Sequence, residues 1–172
     1  GGGYFRTADD GEQLLVREKP MRDGAVPSGN GVTASNLLRL AELTLEEVYL
    51  DRVMLLSSAF HDSLQREPTS LAGMLIALDF HWHRTKEIVL VQPEAGDADG
   101  AMMLVLRRSY VTNRVQSIVR QGDDLAAHEA FVPLLSGKVA QGGRTTAYVC
   151  VAQVCAYPTD DPKVFEEQLA AP

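Results

Sequence analysis

Between Glu46 and Arg66 an apolar residue returns at every third or fourth position. Tyr49, Val53, Leu56, Phe60 and Leu64 fall on one stripe and predict a helix. Pro68 and the Thr69-Ser70 pair predict its end and the cap of another helix. In that helix Leu71, Leu75, Leu78 and Trp82 form the stripe expected to be buried. Residues 46 to 84 should therefore form an antiparallel helical hairpin burying Tyr49, Val53, Leu56, Phe60 and those four residues. Upstream, a helix beginning near Thr33 should carry Leu37, Leu38 and Ala41 inward. "YFRTADDGEQLLVRE" reads as a β-hairpin turning at Asp10-Gly11.

The pattern changes after Lys86. "EIVLVQP" is a short buried strand, and "DADGAMMLVLRRSY" is a helix opened by an aspartate cap. "VQSIVR" and "TTAYVCVA" are two more strands, and "DPKVFEEQLA" is a closing helix with Asp161 as cap and Pro162 in its first turn. Strand, helix, strand predicts a small parallel α/β layer with a right-handed crossover. The fold class is thus mixed α and α/β. Residues 1–86 form helical hairpins after an opening β-hairpin, and residues 87–172 form the α/β part.

With 172 residues, 45% of them hydrophobic, the chain can bury a substantial core. A net charge of −7 and the lack of a basic cluster argue against a nucleic-acid partner. No apolar run approaches the roughly 20 residues that span a bilayer, so no membrane partner is expected. With no signal peptide in view, the expected compartment is cytoplasmic. The opening "GGGYFRT" has no methionine and runs straight into strand-like sequence, which reads as a C-terminal piece of a longer protein. Such a piece would leave a helical face without neighbours, so self-association or a large apolar patch is expected.

Ahead of the first helix stands the loop "RDGAVPSGNG". One reading is a polar pocket rim that reaches back along the chain. Arg17 and Lys19 would meet an anionic or hydroxylated ligand, Asp23 would act as acid, base or acceptor, and Ser28 and Asn30 would supply hydroxyl and amide contacts. Gly24 and Gly29 would let the backbone approach closely. The other reading is a helix start, in which Asp23 and Ser28 satisfy loop backbone and Asn30 begins the helix.

Cys150 and Cys155 also admit several readings. Four intervening residues do not match a C-x-x-C redox motif. Positions five apart on a strand point to opposite faces, so a disulfide would need a turn between them. Reduced, structural thiols, at least one of them buried, are the first expectation, with a redox role the weaker one. Zinc would need two further ligands. His81 and His83, two apart on a helix, diverge by about 200°. No metal and no cofactor are expected. His61, His81, His83 and His128 read as packing or surface residues. Asp9-Asp10, Asp123-Asp124 and Asp160-Asp161 read as turns and caps.

Three stretches together, "LLVREKPMRDGAVPSGNGVTASNLLRLAELT", "LLSGKVAQGGRTTAYVC" and "YVCVAQVC", resemble the C-terminal end of the spermatogenesis-associated, thioredoxin-domain-containing family. The resemblance covers nearly all of the chain. It implies helical hairpins from an (α/α)-barrel related to six-hairpin glycosidases and sugar epimerases. It also implies a thioredoxin-like domain elsewhere in the full-length chain. In such barrels, loops between hairpins line a cavity where sugars bind, which makes a sugar-like small molecule the expected ligand and a glycosidase- or epimerase-like activity the kind to look for. The alternative is a non-catalytic scaffold accompanying the thioredoxin-like domain. The chain departs from the family pattern at Gly31, where a serine is usual, and at Val151-Ala152, where the cysteines usually enclose Glu-Asn.

Overall fold

The computed structural model describes residues 2–12, 14–95 and 100–171. The chain divides into two compact units, Gly1–Ala41 with Glu46–His83, and Glu42–Leu45 with Arg84–Pro172. No closed barrel of helices is present among the described residues. None of their helices is long and apolar enough to cross a membrane.

The first unit begins with irregular chain up to Ser28. Among the described residues of the stretch 4–18 no strand forms, so the expected β-hairpin is absent. Arg6 N donates to Glu18 O at 2.9 Å and draws the two arms together. Side chains take up other backbone groups that a strand ladder would need. Arg17 Nη2 donates to Thr7 O at 2.8 Å, and Tyr4 N donates to Asn30 Oδ1 at 2.7 Å.

Helix α1, Gly29–Thr44, starts four residues earlier than the apolar period suggests, because Ser28 caps it. Ala34, Leu37, Leu38 and Ala41 are buried as expected. The helix is followed by Leu45 in the left-handed region at φ 59°. The expected single helix from 46 to 66 is two, α2 (Glu47–Ala59) and α3 (His61–Arg66). The break falls at Phe60, after the weak helix formers Ser57 and Ser58, whose carbonyls both accept its N–H. Val53, Leu56 and Phe60 are buried, while Tyr49 and Leu64 are half-buried.

A 3-10 turn, Pro68–Leu71, leads into α4, Ala72–Trp82. Neither Thr69 nor Ser70 caps α4, whose N-cap position is Leu71. The buried face of α4 also differs from the expected stripe. Met74, Ala77 and Phe80 point inward, while Leu75 and Trp82 are 39% and 72% exposed and Leu78 is half-buried. The helix is apolar nearly all round, so two stripes fit its periodicity and only packing decides between them.

The second unit is built on a four-stranded sheet in the order β2-β1-β3-β4, with β1 Lys86–Gln92, β2 Arg114–Arg120, β3 Thr146–Val151 and β4 Val154–Cys155. The strands β1 and β2 pair in parallel across helix α5, Ala101–Arg108, but β3 runs antiparallel to β1. The sheet is therefore mixed rather than parallel. The aspartate cap expected in "DADG" lies outside the described residues. Central β1 is covered on both faces, which explains its unbroken apolar run. On one face Ile88 and Leu90 pack with Met102, Met103 and Leu106 of α5. Phe165 and Leu169 of α7, Pro162–Ala170, pack on that same face. Full burial of Phe165 contributes about 2–3 kcal/mol. On the other face Val89 and Val91 pack with Val119, Leu134, Leu135 and Tyr148.

Two side chains finish this unit's ends. Asp161 Oδ1 accepts from Lys163 N at 2.8 Å, the cap that Asp161-Pro162 predicted. At the far end of α7, Lys86 Nζ donates to Leu169 O at 2.6 Å and also to Ala171 O, placing a cation where the helix carbonyls lack partners. Burial lowers the Lys86 pKa from its ordinary value. Helix α6, Asp123–Glu129, lies between β2 and β3 in the chain.

Candidate functional site

The loop before α1 is shaped by three side chains. Ser28 Oγ accepts from Gly31 N at 3.1 Å, so the serine holds the first turn of α1. Asp23 Oδ1 accepts from Ser28 N and its Oδ2 from Gly73 N, both at 2.7 Å. Burial alone would raise the Asp23 pKa. Hydrogen bonds from Ser28 N, Gly73 N and the Ser28 hydroxyl outweigh it and hold the carboxyl below its ordinary value. Asn30, 1% exposed, accepts from Tyr4 N and donates from Nδ2 to Tyr4 O at 3.0 Å and Pro20 O at 2.6 Å. Its amide therefore ties the first residues and the loop to the start of α1.

These bonds fold the loop around a cavity of about 570 Å³, within the usual range for small-molecule sites. Its walls include Tyr4, Phe5, Arg6, Arg22, Val26, Ser28 and Asn30. Arg22 is held there by Glu67, with Nη2 2.7 Å from the carboxylate. Of the five residues expected to form the rim, the structure brings Ser28 and Asn30 to the cavity. Asp23 turns to backbone N–H groups beside it. Arg17 lies over the Phe5 ring, 4.2 Å from its centroid, and bonds Thr7. Lys19 Nζ lies 4.6 Å from the same centroid and donates to Gly2 O at 2.7 Å. These two cations therefore stand behind Phe5 rather than on the cavity wall.

Tyr4, Phe5, Arg6, Arg22 and Val26 are wall residues that the sequence analysis did not single out. Arg22 heads the same polar string and could have been found there. The aromatic pair carried no local signal, because it reaches the loop through the Asn30 amide and the Lys19 side chain, both distant in the chain.

The cysteines depart from expectation. Cys150 and Cys155 form a disulfide, not two reduced thiols. The turn that such a bond requires is present. Ala152 and Gln153 adopt φ 49° and 63°, and the hairpin from β3 to β4 sets the two cysteines directly opposite each other. Cys150 is fully buried and Cys155 is exposed. Because the bond closes so short a loop, its entropic stabilisation is about 2 kcal/mol, low for a disulfide.

Other histidines and acidic groups make separate pairs. His83 and His128 each face an aspartate one turn back, Asp79 at 3.0 Å and Asp124 at 3.2 Å. Asp160 pairs with Arg144. Among the described residues no three His, Cys, Asp or Glu side chains converge as a metal would require.

Neither a family model nor a solved structure matches the chain. Curated proteins do. The chain is 35% identical over 163 residues to spermatogenesis-associated protein 20 of Homo sapiens, covering 94% of this chain and 21% of that protein. The Rattus norvegicus protein of the same name is 36% identical over 164 residues, covering 94% and 20%. An uncharacterized Caenorhabditis elegans protein is 25% identical over 171 residues, covering 97% and 22%. The chain is thus homologous to a part of spermatogenesis-associated protein 20, and spans about a fifth of the length of the curated relatives it matches.

Proposed function

We propose that the cavity before α1 binds a polar, hydroxylated small molecule of the carbohydrate type. The observation that carries this reading is its composition: two arginines, a serine and an asparagine around the aromatic pair Tyr4 and Phe5. Sugars present both apolar ring faces and hydroxyl groups, and such a wall meets both. In this reading Arg22, Arg6 and Ser28 contact ligand, Asn30 and Asp23 keep the wall in shape, and Arg17 and Lys19 brace Phe5. Any glycosidase- or epimerase-like chemistry belongs to the full-length protein, where the helical unit would stand in an (α/α)-toroid together with a thioredoxin-like domain, in the cytoplasm. The resemblance described above supports that setting. Titrating the chain with a panel of mono- and disaccharides, followed by ligand-observed magnetic resonance, tests the reading. Saturable binding that weakens in Phe5→Ala and Arg22→Ala, with melting unchanged, is the expected result. No binding to any member at millimolar concentration would remove it.

A second reading is a non-catalytic scaffold. It is favoured by a groove of about 320 Å³ in the helical unit, lined by Met54, Leu64, Leu78 and Trp82 among others. Further helices of the longer protein would cover this groove.

A further inference from the structure

One row of the sheet brings together a buried carboxyl group and a half-exposed disulfide. Glu87 of β1 is the direct partner of Cys150 of β3, which is the direct partner of Cys155 of β4. Directly opposed residues of paired strands share a face, so all three side chains lie on one side of the sheet. Glu87 is 2% exposed. Its Oε1 accepts from Gln153 N, in the turn between the cysteines, at 3.1 Å. Its Oε2 is buried with no hydrogen-bond partner among the described residues. An unpartnered buried carboxyl oxygen is costly. Holding the turn needs one oxygen, which a glutamine would supply without the risk of a buried charge.

We propose that Cys150 and Cys155 form a dithiol–disulfide exchange site, with Glu87 moving the proton of Cys150 and a dithiol as the reacting partner. A thiolate of the dithiol attacks the exposed Cys155 Sγ. The Cys150–Cys155 bond breaks, and its electron pair stays on Cys150 Sγ. That sulfur is shut away from water, so it leaves readily only if it gains a proton, which the Glu87 carboxylate takes up from solvent and hands on. The second thiolate of the dithiol then attacks its own sulfur in the mixed disulfide. Cys155 leaves and is protonated by water, and Glu87 is again the carboxylate it was before the attack. The protein gains two electrons and two protons, and the dithiol departs as a disulfide. The reverse sequence reduces a partner's disulfide, with the Glu87 carboxylate taking the Cys150 proton. Two further charged groups sense Glu87. Burial first, then the Glu87 charge, raises the Glu42 pKa, whereas burial lowers that of Lys138 against an opposing pull from Glu87.

The site is independent of the cavity before α1, so either can fail without the other. Its test follows the oxidised chain in native buffer with dithiothreitol, counting free thiols by mass after alkylation over a range of pH. Full reduction without denaturant is expected. Glu87→Gln keeps an oxygen for Gln153 N but cannot carry a proton, so it should slow reduction about a hundredfold and alter its pH dependence. Thermal melting of that variant checks its fold. Reduction only after urea unfolds the chain, or Glu87→Gln reducing at the unaltered rate, would overturn the assignment. If Glu87→Gln does not fold, the parent chain still decides, by mapping the adduct that glutathione leaves. An adduct on Cys155 with native circular dichroism supports the site. An adduct on Cys150, or one formed only by unfolded chain, overturns it.

Discussion

Asp23 and Gly73 stand 50 residues apart in the chain, and Asp23 Oδ2 accepts the Gly73 N–H at 2.7 Å. With Oδ1 on Ser28 N, one carboxylate closes the loop before α1 and ties it to the start of α4. Gly73 permits this approach, since a Cβ there would lie 3.0 Å from Asp23 Oδ1. Substituting Asp23 by asparagine keeps one acceptor but turns an NH2 group toward the other N–H. A loss of about 1–3 kcal/mol is expected. Paired melting and saccharide titration will show which role dominates. Lower melting with unchanged affinity marks Asp23 as a brace, whereas lost activity of the full-length protein on an intact fold would mark it as acid or base.

The same carboxylate sets an acid limit on stability. The Asp23 pKa is lowered from 3.8 because bonds from Ser28 and Gly73 outweigh the burial that would raise it. Its stabilisation is therefore fully present above 3.8 and is lost as pH falls through the lower folded-state value. Glu42 behaves oppositely. Burial, then the Glu87 charge, raises it above 4.5, so it costs stability at neutral pH and that cost fades as pH falls toward 4.5. Urea unfolding over a pH series should show stability holding or rising on mild acidification and falling below 3.8. Asp23→Asn should blunt the fall, and Glu42→Gln should remove the rise.

Asn30 makes a sharper demand. Its buried amide serves Tyr4 N, Tyr4 O and Pro20 O. Asn30→Ala strands those groups and should cost about 2–4 kcal/mol, with earlier proteolytic cleavage of the residues before α1. Unchanged melting would mean that the opening segment does not rest on Asn30.

How far each element could be read depended on whether its signal was local. The cap of α7 is written in two adjacent residues, Asp161 and Pro162, and both act as read. The burial of β1 follows from its unbroken apolar run. The face of α4 was not legible, because Leu75 and Met74 are equally apolar and only the packing of the first unit separates them. The hairpin joining Cys150 to Cys155 turns on Ala152 and Gln153, which are not the glycine or asparagine that announce such a turn. Asn30 could be read as a helix residue or a ligand residue, but its partners lie 10 and 26 residues away.

Gly31 and Gly29 offer a controlled comparison on α1. A Cβ on Gly31 would lie 3.0 Å from Ser28 Oγ, 3.1 Å from Gly73 C and 3.2 Å from Met74 N. Two of those atoms are backbone and cannot swing aside. Gly31→Ala should cost about 1–3 kcal/mol through displacement of α1 from the start of α4. A Cβ on Gly29 meets nothing within 4 Å, so Gly29→Ala should be neutral or slightly stabilising. Equal effects in chemical denaturation would show that the close approach does not limit packing.

The exposed side of the helical unit yields the last expectation. Met54, Leu55, Ile76 and Trp82 are 55%, 61%, 64% and 72% exposed, and Met54 and Trp82 line one groove. Large apolar side chains exposed in this way, two of them in one groove, favour contact with another surface over water. If further helices of the longer protein cover them, the 172-residue chain alone should self-associate weakly. Its sedimentation coefficient should then rise with concentration. Trp82→Ala together with Ile76→Lys should abolish that rise without lowering the melting temperature, since neither side chain is buried within the unit. The same pair in the full-length protein should destabilise it, by about 1.5–3 kcal/mol for each apolar side chain whose burial is lost. A chain that stays monomeric at high concentration, with a full-length variant as stable as its parent, would remove the case for a covering helix layer.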